Sequence, residues 1–190
     1  MARPREFDEG RAVDAAMRAF WANGYEATST EELCEATGLG RSSIYNAFTS
    51  KHALFRTTLT RYMTEKNAIY DDLRDGEGPV LERVRRLFRW TMERDDGNPA
   101  GCLVVNSMVE MSPRDPEIAE LLRRDYESRR EALRVAFETG QRSGEIDPDK
   151  DPGVLADFII ATISGIRVAD RSGADPAMLA AVAETALAAI

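Results

Sequence analysis

The sequence contains few of the residues from which metal sites and disulfide frameworks are built. Its 190 residues include two cysteines and one histidine. Cys34 and Cys102 are too far apart in sequence to match a zinc-ligand pair, and two cysteines do not make a disulfide framework. We therefore expect no metal, no cofactor and a reducing cytoplasmic location.

Long hydrophobic runs are also missing. The longest uncharged apolar run covers residues 158–166, whereas a membrane-spanning helix needs about 20 apolar residues. The first ten residues, MARPREFDEG, carry charges and lack the apolar segment of a signal peptide. We expect a cytoplasmic protein with no membrane partner. With 43% hydrophobic residues the chain has enough apolar surface for a packed core.

The formal net charge of −8 by itself argues against a nucleic-acid partner. The distribution of the charged residues along the chain changes this conclusion. Residues 1–63 hold eight basic and eight acidic residues, so the whole acidic excess lies in residues 64–190. Residues 36–64 contain Arg41, Lys51, Arg56 and Arg61 and no acidic residue. One short segment is therefore cationic within an acidic molecule.

The spacing of apolar residues predicts an all-α protein. Val13, Ala16, Met17 and Phe20 recur at helical intervals, and Gly24 is placed to end that helix. Further helical segments are expected at roughly 79–94, 101–112, 116–142, 153–170 and 176–190, which suffice for an antiparallel bundle. Residues 102–111 also have some strand propensity, but their helical neighbours favour helix.

A helix-turn-helix pattern lies between residues 27 and 51. Ser29 and Glu32 form a capping-box pattern at the start of a short helix. Gly38 supplies the positive φ that a tight turn between helices requires, and Leu39 and Ile44 are spaced to pack inside it. The sequence therefore predicts two short crossing helices.

The exposed face of the second short helix carries side chains that read DNA. Arginine pairs with guanine, asparagine with adenine, and tyrosine contacts a thymine methyl group or a phosphate. Lys51 lies where it can hold a phosphate beside a helix N-terminus. The alternative is an ordinary solvated helix, because bare helix-turn-helix patterns often occur without DNA binding. The predicted base-reading residues are Arg41, Ser42, Ser43, Tyr45 and Asn46.

The segment GYEATSTEELCEATGLGRSSIYNAFTSKHALF closely resembles the DNA-binding domain of TetR-family transcriptional regulators, and the resemblance covers about residues 7–63. It implies that Thr28 begins the first helix of the motif near a phosphate and that Lys51 clamps the DNA backbone. Asn46 departs from the aromatic residue or histidine typical of its position. His52 is expected to face solvent. Arg3 and Arg5 are further candidates for phosphate contacts.

The resemblance also implies a homodimer, and two recognition helices in successive major grooves then require an inverted-repeat operator of double-stranded DNA. We expect a DNA-binding domain at 1–50, a connecting helix at 51–75 and a ligand-sensing and dimerisation domain at 76–190. The last two apolar helices are expected to pair with their copies, the alternative being that both lie in the monomer core. The predicted interface residues are Phe158, Ile159, Ile163, Ile166, Leu179, Val182 and Leu187.

A regulator of this family requires an effector, here an unknown small molecule. Aromatic residues and methionines make adaptable cavity walls, although for any single one of them an ordinary core position is the default interpretation. The candidate cavity residues are Phe88, Trp90, Met92, Cys102, Asn106, Met108, Met111, Tyr126 and Phe137. Cys102 is a candidate sensor of oxidants or electrophiles, because a predicted helix N-terminus lowers a thiol pKa. The alternative is a small buried filler, and Cys34 is interpreted as structural.

Two classes of function are consistent with these patterns. The first is a one-component repressor that leaves its operator when the effector binds. The second is a small helical enzyme or ligand carrier with no sequence-specific DNA binding. The chain shows no dinucleotide fingerprint, no phosphate-binding lysine motif and a single histidine, so catalysis is not expected.

Overall fold

The computed structural model describes residues 8–93 and 97–190, so Arg3 and Arg5 lie outside the described residues. This part of the chain folds into nine α-helices and contains no strand. The helices are α1 (Glu9–Asn23), α2 (Thr30–Thr37), α3 (Arg41–Phe48), α4 (Lys51–Asp75), α5 (Val80–Met92), α6 (Leu103–Glu110), α7 (Pro116–Arg142), α8 (Pro152–Arg171) and α9 (Pro176–Ala188). The expectation of helix at residues 102–111 is confirmed by α6.

Side-chain caps define where the N-terminal helices begin. Ser29 and Glu32 form a complete capping box at the start of α2, which confirms the sequence pattern. Ser50 accepts a hydrogen bond from the backbone N–H of Ala53 at the start of α4. Gly38 has a φ of 69°, the left-handed conformation that lets α3 turn sharply away from α2.

Two hydrophobic cores share the long helix α4. The N-terminal core forms where α1, α2, α3 and the first half of α4 meet, and its centre includes Phe20, Leu33, Ile44 and Phe55. The C-terminal core packs α5, α7, α8 and α9, the C-terminal bundle, around the second half of α4. α4 therefore belongs to both cores and connects them.

The N-terminal core also contains residues from the second half of the chain. Leu103 and Val104 of α6 are buried in it, as are Ile118 and Leu122 from the start of α7. Each buried aliphatic side chain of this kind contributes roughly 1.5–3 kcal/mol of hydrophobic stabilisation. A shift of α6 or α7 would therefore disturb the packing of α1–α4.

By length and composition α8 is apolar enough to cross a membrane, with a mean hydropathy of 1.5. In the folded chain it packs between α7 and α9, and Ala156 and Ile159 are fully buried in the C-terminal core. The core helix of a folded bundle has the same composition as a membrane span. The position of α8 accounts for its hydropathy.

Candidate nucleic-acid interface and ligand cavity

Helix α3 presents a polar face to solvent. Ile44 and Phe48 anchor the helix in the N-terminal core with 1% and 6% exposure. Of the five predicted base-reading residues, Arg41, Ser42, Ser43 and Asn46 are exposed, whereas Tyr45 is half-buried. Because two buried positions fix the rotation of α3, the polar residues share one outward face, as a helix that enters a DNA groove requires.

Tyr45 is held at the edge of this face. Its hydroxyl lies 3.4 Å from the hydroxyl of Thr30, and the guanidinium carbon of Arg41 lies 5.8 Å from the centre of its ring. The hydrogen bond with Thr30, and then the bond and charge of Arg41, lower the pKa of Tyr45. These contacts orient Arg41 and Tyr45 relative to each other before any DNA is bound.

Lys51 begins α4 beside the turn that joins α1 to α2. Its ammonium group lies 4.5 Å from the centre of the Tyr25 ring and donates to the carbonyl oxygen of Glu26 at 3.5 Å. The long side chain is thereby held near the N-terminus of α4. A cation and a helix N-terminus in one place are suited to a phosphate.

Thr28 does not reach this surface. Its side chain is fully buried, and its hydroxyl donates to the carbonyl oxygen of Gly24 at 2.6 Å. The helix begins at Thr30, after the N-cap Ser29. The expectation that Thr28 begins the helix is wrong by two residues, and burial removes its side chain from any phosphate contact.

Side chains of the C-terminal half hold the end of α1. The carboxylate of Glu110, the last residue of α6, accepts hydrogen bonds from the backbone N–H groups of Tyr25 and Glu26 at 2.9 and 2.8 Å. Arg171, the last residue of α8, donates to the carbonyl oxygens of Trp21 and Ala22 at 3.0 and 2.9 Å. The sequence pattern gave no indication of either contact, because the partners lie 84 to 150 positions apart.

His52 forms a further link between the two halves. Its Nε2 lies 2.6 Å from Oδ2 of Asp115, the N-cap residue of α7, and the imidazole side chain is 32% exposed. The expectation that His52 faces solvent is therefore wrong. The side chain turns toward α7 because the carboxylate of Asp115 offers it a strong partner there.

A small cavity of about 40 Å³ lies between α4, α5, α6, α7 and α8. Its walls are Tyr62, Met63, Lys66, Asn67, Tyr70, Trp90, Cys102, Val104, Val105, Asp125, Arg129, Ile163, Ser164 and Arg167. A solvent-facing recess adjoins it and shares four of these residues, Tyr62, Lys66, Trp90 and Arg167. The cavity combines an apolar interior with charged groups but has room for no more than about one to three water molecules. The adjoining recess, of about 420 Å³, is the larger space.

Cys102 lies at the N-cap of α6, as the sequence predicted, and lines the cavity. The buried hydroxyl of Tyr62 donates to its sulfur at 3.5 Å. Burial, and then the charge and hydrogen bond of Cys102, raise the pKa of Tyr62. Tyr62 therefore keeps its proton and remains a donor to the sulfur.

Comparison with known proteins identifies the family. Residues 72–186 match the model of the tetracyclin repressor-like C-terminal domain, and residues 12–58 match that of the tetR family of bacterial regulatory proteins. The chain belongs to the TetR family. The resemblance stated from the sequence is confirmed, and so is the all-helical fold.

Several TetR-family proteins are similar over most of the chain. The HTH-type transcriptional repressor ComR of Escherichia coli K12 is 33% identical over 97% of this chain and 90% of its own length. The repressor DhaR of Mycobacterium sp. strain GP1 is 30% identical over 80% of this chain and 77% of its own length. A cysteine mutant of CifR, solved with 26-bp operator DNA, has a TM-score of 0.89 and 32% identity over 99% of both chains.

The residues predicted to line a ligand cavity overlap only in part with the walls of the cavity between α4 and α8. Trp90 and Cys102 line the cavity, whereas the other seven candidates do not. Phe88 and Phe137 are buried in the C-terminal core and Met111 in the N-terminal core. Met92 and Tyr126 pack against the C-terminal core, and Met108 packs against the N-terminal core. Asn106 lies on α6 outside the cavity walls. Residue type could not separate core from cavity, because both are apolar.

The expected TetR dimer interface also needs correction. Ile159, Ile163, Ile166, Leu179 and Leu187 are buried within the monomer. Phe158 and Val182 are exposed. Other exposed apolar residues of α8 and α9 are Val154, Val168 and Met178. The five buried residues belong to the inner faces of α8 and α9, which cover the bundle, and the dimer interface itself stays a prediction.

Proposed function

We propose that this TetR-family chain is a one-component repressor. It binds an inverted-repeat operator as a homodimer and is released when a small molecule occupies the C-terminal bundle or when Cys102 is modified. The observation that carries this proposal is the exposed polar face of α3 on a framework similar, over nearly its whole length, to CifR bound to operator DNA.

Side-chain chemistry separates the proposed base contacts from the proposed phosphate contact. Arg41 and Asn46 are the candidates for base contacts, because each can pair bidentately with a base edge. Ser42, Ser43 and Tyr45 contribute hydroxyl groups, and Lys51 neutralises a phosphate. The base contacts would set specificity, whereas the phosphate contact would set register and salt dependence.

Dimerisation would use the outer faces of α8 and α9. An apolar patch that includes Phe158 (40% exposed) and Val182 (39% exposed) is open on the monomer, and contiguous apolar patches of this kind mark interaction sites. A two-fold pairing of the patch with its copy covers it and places two α3 helices in successive major grooves. The operator is then an inverted repeat.

Release would be transmitted through the contacts of α6, α7 and α8 with α1 and α4. The cavity is lined from α6 by Cys102, Val104 and Val105, and the same helix holds the α1–α2 turn through Glu110. A ligand or a modified Cys102 that favours a shifted α6 moves this turn and changes the spacing of the two α3 helices. By reciprocity, DNA weakens ligand binding by the same factor.

This assignment makes the protein a cytoplasmic regulator and not an enzyme. Its partner is DNA, which in bacteria lies in the cytoplasm. The proposed units are a DNA-binding domain at 1–50, a connecting helix at 51–75 and a sensing and dimerisation domain at 76–190. Support for a linker helix comes from the position of α4 in both hydrophobic cores.

The test is binding to DNA from the promoter region next to its own gene. Fluorescence anisotropy at a stated salt concentration should give an affinity at least about a thousandfold tighter than for random DNA of equal length. DNase footprinting should protect two half-sites related by a two-fold axis. Equal affinity for both DNAs would reject the repressor assignment and favour a ligand carrier.

A further inference from the structure

Two side chains of opposite charge hold the end of α1 from different helices. The carboxylate oxygens of Glu110 each accept one backbone N–H, from residues 25–26, at 2.9 and 2.8 Å. Two nitrogens of the Arg171 guanidinium each donate to one backbone carbonyl, of residues 21–22, at 3.0 and 2.9 Å. Both contacts are charge-assisted and use two bonds, so they fix the direction of the backbone as well as its distance.

Each charge matches the backbone groups that it meets. The last carbonyl groups of a helix have no partner within the helix and carry the negative end of its dipole, which suits the guanidinium of Arg171. Gly24 makes room for the carboxylate on the other side, because a Cβ atom at this position would lie 2.8 Å from Oε2 of Glu110. Any larger residue at position 24 would therefore displace Glu110 from the turn.

Both holding residues are connected to the helix that carries the proposed dimer face. Arg171 is the last residue of α8, and the exposed apolar Val168 lies three positions before it, which is about 4.5 Å along the helix axis. Glu110 is the last residue of α6. The loop before α6 contacts the end of α8, since the backbone N–H of Gly101 donates to the carboxylate of Asp170 at 3.2 Å. The end of α1 is thus attached to α8 both directly and through α6.

The position of the α1–α2 turn determines where α3 lies relative to α8. Phe20 of α1, Leu33 of α2 and Ile44 of α3 pack in one core, so the three helices move together. In an inverted repeat, one base pair changes the separation of the half-sites by about 3.4 Å and their rotation by about 35°. A hydrogen bond does not survive a displacement of that size. The held turn therefore favours one separation of the two α3 helices.

We propose that Glu110 and Arg171 are positioning residues that fix the DNA-binding domain relative to the dimer face and so determine which half-site spacing the protein accepts. This inference rests on the proposed function for its DNA partner, whereas the holding contacts belong to the free chain. Neither residue lies on the exposed face of α3, so the base sequence read within each half-site should not depend on them.

Operators with altered centres test the proposal. The half-sites are kept, and one base pair is inserted or removed between them. The full-length wild-type protein should bind both altered operators at least about thirtyfold more weakly than the natural one. Glu110→Gln and Arg171→Gln should each bind the natural operator about tenfold more weakly and lose less than about fivefold further on the altered ones.

Two readouts separate positioning from a general loss of stability. Discrimination against single base changes within a half-site should stay within about twofold of wild type in both variants. Arg142→Gln is the matched control, because Arg142 is the exposed last residue of α7 and donates only to Thr139 of its own helix, and it should keep the wild-type spacing preference. A spacing preference unchanged in Glu110→Gln and Arg171→Gln would overturn the proposal.

Hydrogen exchange of the free protein tests the holding contacts without DNA. Glu110→Gln should speed exchange of the Tyr25 and Glu26 amides by about tenfold, and Arg171→Gln should speed it by at least about threefold. Glu127→Gln is the control, since Glu127 is exposed on α7 and pairs with Arg123 of the same helix. Unchanged exchange in both test variants would overturn the proposal whatever the DNA result.

The two experiments distinguish this inference from the repressor assignment. If wild type binds its operator and both variants retain its spacing preference, only the positioning proposal fails. If exchange responds as expected but wild type shows no sequence-specific DNA binding, the repressor assignment fails, and with it the role in half-site spacing, whereas the holding contacts stand. Faster exchange together with a weaker spacing preference supports both.

Discussion

Nε2 of His52, in the first turn of α4, lies 2.6 Å from Oδ2 of Asp115, the N-cap residue of α7. The other carboxylate oxygen of Asp115 accepts the backbone N–H groups of Glu117 and Ile118. One side chain therefore caps a helix of the C-terminal half and binds the helix that follows the DNA-reading motif. A movement of the N-terminus of α7 would therefore displace the start of α4 through the contact between Asp115 and His52.

Replacement of Asp115 should separate its two roles. Asp115→Ala loses both the cap and the partner of His52 and should lower the free energy of unfolding by at least about 1 kcal/mol. Asp115→Asn keeps an oxygen for the cap and should fall between wild type and Asp115→Ala. Urea unfolding of the three proteins at pH 7 gives the order. Equal stability of wild type and Asp115→Asn would show that the contact with His52 adds nothing.

The same pair predicts a pH dependence. Burial raises the pKa of Asp115, but hydrogen bonds from Ile118 and His52 outweigh it and bring the pKa below its usual value of 3.8. A depressed pKa in the folded state stabilises the protein above that value, and the benefit is lost as the pH falls through the folded pKa. The stability difference between wild type and Asp115→Asn should therefore be full above about pH 5 and shrink below about pH 4.

Arg41→Ala should relax specificity. Arg41 lies on the exposed face of α3, and loss of one bidentate base contact costs about 1–3 kcal/mol per half-site. Competition between the operator and operators altered at single base pairs should show that discrimination is lost at one position in each half-site. An equal loss of affinity for operator and random DNA would contradict a base-reading role.

Lys51→Ala should act on all DNA sequences alike. Removal of one phosphate contact lowers the slope of log affinity against log salt by about one for each protomer. Lys51→Arg, which keeps the charge, should retain the wild-type slope. Affinities measured at four or more salt concentrations decide the matter, and an unchanged slope for Lys51→Ala would remove Lys51 from the DNA contacts.

Phe158→Glu and Val182→Glu should separate the dimer without unfolding the chain. Both positions are exposed on the monomer. In the proposed dimer both protomers would place the new carboxylate in the apolar interface, which should raise the dissociation constant by roughly a hundredfold or more. Light scattering and circular dichroism report mass and helix content. Val109→Glu, on α6 at a position 76% exposed, is the control and should remain dimeric. A dimer that persists in both variants would place the interface elsewhere.

Cys102→Ser tests the thiol as a sensor. The serine retains a small polar group at the N-cap but not the reactive sulfur, so release from the operator by reactive carbonyls, hypochlorite or peroxide should be lost. Cys34→Ser, which leaves Cys102 in place, should respond like wild type. If Cys102→Ser were still released by all three reagents, Cys102 would have only a packing role.

Local chemistry in the sequence determined the helices and the motif. The capping box of Ser29 and Glu32, the left-handed glycine at Gly38 and the apolar anchor Ile44 act over a few residues, so their pattern is visible in one segment of chain. From these features the family and the exposed face of α3 could be predicted. The residues before Cys102 predicted separately that its sulfur lies near a helix N-terminus.

The remaining features depended on which helices meet. Ile159 and Phe158 are neighbours on one apolar helix, and only the packing of α8 against α7 and α9 buries the first and exposes the second. Likewise, Glu110 reaches Tyr25 across 85 positions, and Lys66 and Arg167 meet at Trp90 from different helices. Apolar periodicity shows that a face is buried, but the tertiary structure alone decides against which partner, because many apolar faces pack with similar free energy.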